Sequence, residues 1–143
     1  MKKLALFILL LCSLCLNAQQ RSESEAIQIA QEFIGDKSVS PKLSVVSHQK
    51  VASQVRKKVA AARRAQAKSQ AFYIINDDAN GRFVIVSTDE RLNTVLGYSD
   101  KGVFNAETAP EALLEFLEGY NWQYEFVIGN GFNDQPRRAA KLS

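Results

Sequence analysis

The chain has 143 residues, and its 18 Lys and Arg against 15 Asp and Glu give a formal net charge of +3. Both cysteines, Cys12 and Cys15, fall in an apolar leader. A chain processed after Ala18 therefore has no disulfide, no thiolate metal ligand and no thiol nucleophile. The remaining length of about 125 residues is enough for one core without cross-links, and one domain is expected.

Lys2 and Lys3, the apolar run Leu4 to Leu16 broken only by Ser13, and Asn17-Ala18 have the layout of a secretory signal peptide over residues 1–18. The run is short of the roughly 20 residues a spanning helix needs, which places the competing reading, a short membrane anchor, second. A secreted or periplasmic protein is expected, with no membrane contact after cleavage. From Ser22 to Ile34, Ala26, Ile29, Ala30 and Phe33 recur at helical spacing, with Ile27 and Ile34 widening the stripe. Ser22 and Glu25 have capping-box spacing, and Gly35 supplies a stop.

Leu43 to Ser47 reads as a short strand after Pro41. Between Gln49 and Gln70 stand Lys50, Arg56, Lys57, Lys58, Arg63, Arg64 and Lys68 with no acid. Val51, Val55, Val59 and Ala62 trace only a narrow stripe there. With so little apolar surface against so much like charge, residues 49–70 are expected to be a basic, flexible loop with some nascent helix. Phe72-Tyr-Ile-Ile75 and Phe83-Val-Ile-Val86 flank a loop containing Asn80-Gly81, the pattern of a β-hairpin. Neither run alternates, so both are expected to be central strands covered on both faces. Thr94 to Tyr98 suggests another strand, with Gly97 marking a bulge or close approach.

A second helix is expected from about Pro110 to Ile128, with Thr108 and Glu111 at capping-box spacing. Leu113, Phe116, Leu117, Tyr120 and Tyr124 are its expected buried stripe, and Gly129-Asn130-Gly131 its stop. Residues 132–143 read as a tail, which leaves a domain over 19–131. This order predicts an α+β fold, an antiparallel four-stranded twisted sheet with an N-terminal and a C-terminal helix packed on it.

Parts for catalysis are missing. His48 stands without a neighbouring carboxylate or thiol, and Asp77-Asp78 and Asp89-Glu90 lie in expected turns. No zinc ligand cluster, phosphate loop or EF-hand spacing is present, so no metal and no cofactor are expected. The basic segment has no aromatic residue for base stacking, which argues against nucleic acid.

Phe83-Val-Ile-Val-Ser87, Asp89-x-Arg91, Val95-Leu-Gly-Tyr-Ser99 and Gly102-x-Phe104, followed by Glu115-Phe-Leu-Glu-Gly-Tyr120, resemble the propeptide of the streptopain-family cysteine proteases. The same domain occurs alone as a streptopain-type (Spi) inhibitor. The resemblance covers roughly residues 22–128. It implies a non-catalytic domain whose partner is a streptopain-type cysteine protease. A loop in front of the closing helix reaches the partner's cleft and displaces its catalytic histidine. On this chain that loop corresponds to Asn105, Glu107, Thr108, Ala109, Pro110, Glu111 and Ala112. Ala112 aligns where streptococcal members have a plugging asparagine, which leaves Glu111 or Asn105 as alternatives. Tyr98, Phe104 and Trp122 are candidate docking aromatics, Phe104 being equally well placed for the core. Because the chain ends at Ser143 without catalytic sequence, a monomeric standalone inhibitor is the expectation. The alternatives are the propeptide of a truncated zymogen and a secreted module that binds anionic surfaces.

Overall fold

The computed structural model describes residues 20–35, 41–59 and 70–130. The expected signal peptide, the second half of the basic segment and the expected tail lie outside the described residues. In chain order the elements are α1 (Glu23–Ile34), β1 (Leu43–Val45), α2 (His48–Lys58), β2 (Phe72–Asp77), β3 (Arg82–Ser87), β4 (Val95–Ser99) and α3 (Glu111–Asn130). The strands form one antiparallel sheet in the order β1-β2-β3-β4. The α+β arrangement expected from the sequence is the one observed.

Local chemistry sets the element ends. The α1 capping box is complete: the Ser22 amide donates to Glu25 Oε2 at 2.6 Å, and the Glu25 amide donates to Ser22 Oγ at 3.3 Å. The β2–β3 hairpin runs in register from Phe72 opposite Ser87 to Asp77 opposite Arg82. Gly81 closes its turn at φ +63°, a backbone region that costs a side chain strain. Between β3 and β4 the register slips. Ile85 faces Gly97 while Val86 faces Val95, so Leu96 is the extra residue of a bulge, next to the glycine that signalled it.

Buried layers cover both sheet faces, which is why the central strands read as unbroken apolar runs. On one face the fully buried Ala26 and Ala30 let α1 lie close against Ile75, Val84 and Val86. On the other face α2 and α3 pack side by side. Val51, Val55 and Val59 meet Phe72, Ile74 and Ile85 together with Leu114, Leu117 and Tyr124.

Three expectations change. The first half of the basic segment is an ordered helix, because Val51 and Val55 recur every four residues and a narrow stripe is enough when the facing helix is apolar. α3 begins at Glu111, with the Pro110 carbonyl accepting from the Leu113 and Leu114 amides, so Thr108 stands outside the first turn and forms no capping box with Glu111. Its buried line is Leu114, Leu117 and Tyr124, while Phe116 is exposed, as is Phe33 on α1.

Two carboxylates lock turns. Asp77, 0% exposed, accepts from the Lys42 amide at 3.1 Å and from Asn80 Nδ2 and Arg82 Nε at 2.8 Å each. Asp89 takes both Arg91 Nε and Nη2, at 2.9 and 2.7 Å, which gives the Asp-x-Arg motif a structural task. Burial pushes both carboxyls up, but the hydrogen bonds from Asn80 and Arg82 on Asp77, and from Arg91 on Asp89, hold both below their ordinary value of 3.8. Because the unfolded chain then binds protons more readily, their stabilisation is complete above pH 3.8 and drains away as pH falls through the lowered values. The half-buried His48 is lowered by desolvation and by Arg56, so its own destabilising protonation starts below 6.5. Thermal unfolding followed from pH 7 to 3 should show two declines. His48→Gln should flatten the one below about pH 6.5 and Asp77→Asn should flatten the one below about pH 4. Unchanged slopes in both variants would refute this assignment.

Candidate functional site

The segment between β4 and α3 is built as a stand with buried feet and an exposed crest. Phe104, Ala106 and Ala109 are buried, whereas Asn105, Glu107, Thr108, Pro110, Glu111 and Ala112 are exposed. Alternating small apolar feet with polar residues fixes the backbone while leaving the polar side chains outside.

Four sets of contacts hold the stand. Asn76 of β2, itself buried, clamps the Phe104 backbone: its Oδ1 accepts from the Phe104 amide and its Nδ2 donates to the Phe104 carbonyl, both at 2.9 Å. The Phe104 ring meets Phe83 edge to face, with centroids 5.7 Å apart. Lys58, the last residue of α2, donates from Nζ to the Glu107 carbonyl at 2.9 Å and reaches the Ala109 carbonyl at 3.5 Å. Within the segment, the Glu107 amide donates to Asn105 Oδ1 at 2.9 Å, a local turn. A groove of about 420 Å³ beside the segment is lined by Ser99, Lys101, Val103, Asn105, Thr108 and Pro110 among others.

The sequence-expected residues are thus brought together with unequal exposure. Ala109 is buried and acts as a foot. Asn105 already has its carbonyl oxygen engaged, whereas Glu111 and Ala112 are adjacent exposed residues at the start of α3. Phe104, 4% exposed, belongs to the core, because Asn76 clamps its backbone and its ring packs on Phe83. Tyr98 and Trp122 are exposed, at 65% and 56%. Asn76 and Lys58 were missed. Asn76 reads locally as the first polar residue of a turn, and Lys58 as one charge in a solvated run. Among the described residues no group of three or more His, Cys, Asp or Glu is placed to hold a metal ion, and no helix is long and apolar enough to cross a membrane.

Comparison with known proteins bears directly on this geometry. A family model described as Spi protease inhibitor matches residues 18–124, a span that includes the sheet, the clamped segment and most of α3. The chain is also 33% identical over 135 residues to the thiol protease/hemagglutinin PrtT of Porphyromonas gingivalis. That alignment covers 94% of this chain and 15% of the relative's length.

Proposed function

The chain belongs to the Spi protease inhibitor family, and from that premise we propose that it is an exported, non-catalytic inhibitor of a streptopain-type cysteine protease. The observation that carries the proposal is the crest over residues 105–112, braced by Asn76 and Lys58, inside the family match. A cysteine protease needs its thiolate and imidazole within hydrogen-bond reach. A segment that enters the cleft and holds the imidazole away stops catalysis without covalent chemistry. Asn105, Glu107, Thr108, Pro110, Glu111 and Ala112 form the blocking surface, and Tyr98 and Trp122 are docking aromatics outside it. Pre-ordering by Asn76 and Lys58 reduces the entropy lost on docking. An interface of ordinary size would bury on the order of 1,600 Å². The match to part of a thiol protease favours a second role for the same domain, as a propeptide that silences an attached catalytic domain.

The purified protein should inhibit a streptopain-type protease reversibly at low micromolar concentration or better. A folded sample that leaves such enzymes untouched at tens of micromolar would end the proposal. Lys58→Met should weaken inhibition by about fivefold, the equivalent of one net hydrogen bond, while moving the thermal midpoint little. A titration of protease activity beside a melting curve checks both.

A further inference from the structure

The two edges of the sheet are built differently. β1 is only three residues long and follows Pro41 and Lys42, the kind of short, proline- and lysine-flanked edge that discourages pairing. β4, Val-Leu-Gly-Tyr-Ser, has five residues and no charge, and among the described residues no strand pairs with its outer side. Its backbone polarity follows from the ladder. The Ser87 amide donates to the Thr94 carbonyl, so the odd-numbered positions of β3 face β4. Their partners Gly97 and Ser99 face back, and the amide and carbonyl of Tyr98 point outward.

Aromatic rings flank that outward edge on both faces. On the α1 side Tyr98 meets Phe33 with ring centroids 5.2 Å apart, and both rings are exposed. On the α3 side Phe116 meets Tyr120 at 4.7 Å, and Tyr120 Oη donates to the Leu96 carbonyl at 3.3 Å. Between them Gly97 has no side chain, and a Cβ there would touch only Ile85 and Phe116. Below, the edge runs past Ser99 into the groove beside the 105–112 crest.

We infer that β4 is a strand-addition site, and that its occupant is an extended segment of the target protease with apolar side chains at alternating positions. The inference rests on the inhibitor reading above. Continuity selects the occupant: edge, groove and crest form one surface, so a partner gripped by the crest lies alongside Tyr98. A second copy paired through β4 would crowd the same crest. Main-chain pairing supplies affinity, and the flanking rings select alternate side chains.

The test uses the full chain and a streptopain-type protease whose nucleophilic cysteine is replaced by serine. Exchange of the outward Tyr98 amide should slow by about tenfold or more in the complex, with no such slowing over Leu43–Val45. In inhibition of the active enzyme, Tyr98→Pro should be about tenfold weaker than Tyr98→Thr, because both lose the ring but only proline loses the outward amide. Equal potency of the two variants together with unchanged exchange overturns the inference. So does protection of the Tyr98 amide already present in the free protein, which would mean a second copy or another part of this chain sits there. Should the unaltered protein inhibit and the strand experiments fail, only the strand contact falls. Should it not inhibit at all, the inhibitor reading falls too.

Discussion

Replacing Glu111 by Trp and Ala112 by Phe together should weaken inhibition about thirtyfold or more, while the thermal unfolding midpoint moves by no more than about 2 °C. The asymmetry follows from position. Both side chains are exposed at the first turn of α3 and neither belongs to the buried core, and surface changes of this kind alter stability by about 0.5 kcal/mol or less. In a docked complex the same two positions stand at the crest, where added volume must displace either partner. Contacts at the centre of an interface carry 2 kcal/mol or more, roughly a thirtyfold change. Inhibition constants and melting curves on the same preparations decide the matter. Parallel losses would show that the first turn of α3 serves the fold alone.

Asn76→Ala should have the largest effect on stability, about 3 kcal/mol, or roughly 10 °C in the midpoint. The substitution removes two hydrogen bonds and leaves the Phe104 amide and carbonyl buried without that partner. An unsatisfied buried group costs about 1–3 kcal/mol. Because Phe104 is the first foot of the crest, inhibition should fall even at temperatures where the variant is fully folded. Urea unfolding gives the energy, and inhibition at 10–15 °C below the variant's midpoint separates the two effects. A loss under about 1 kcal/mol would mean that water replaces the clamp.

Much of the fold is legible in the residues because local and tertiary signals agree. Ser22 and Glu25 announce a helix that forms as announced, and the aromatic and β-branched runs around Asn80-Gly81 give the hairpin and its turn. The bulge beside Gly97 is visible for the same reason. Legibility fails where a remote partner decides the outcome. The charges of α2 outweigh Val51 and Val55 in any local count, and only the apolar side of α3 across from them makes the narrow stripe sufficient. Likewise α3 is apolar on more than one side, so periodicity alone does not choose Leu114 over Phe116 for the core. The approximate location of the crest is readable from the family resemblance. Its supports are not, since an asparagine in a turn-like run and a lysine among lysines give no local sign of what they will hold.

The separation of those supports along the chain has a consequence for the proposed inhibition. Asn76 lies 28 residues before Phe104, and Lys58 lies 49 residues before Glu107. A short synthetic peptide copying the crest therefore keeps at most the Asn105–Glu107 turn and none of the long-range bracing, and is expected to be inert. On the proposed reading, potency belongs to the whole folded unit, since its supports come from α2 and β2. On the same proposed reading, any nick that lets α2 or the hairpin drift apart would release a captured protease without touching the crest itself.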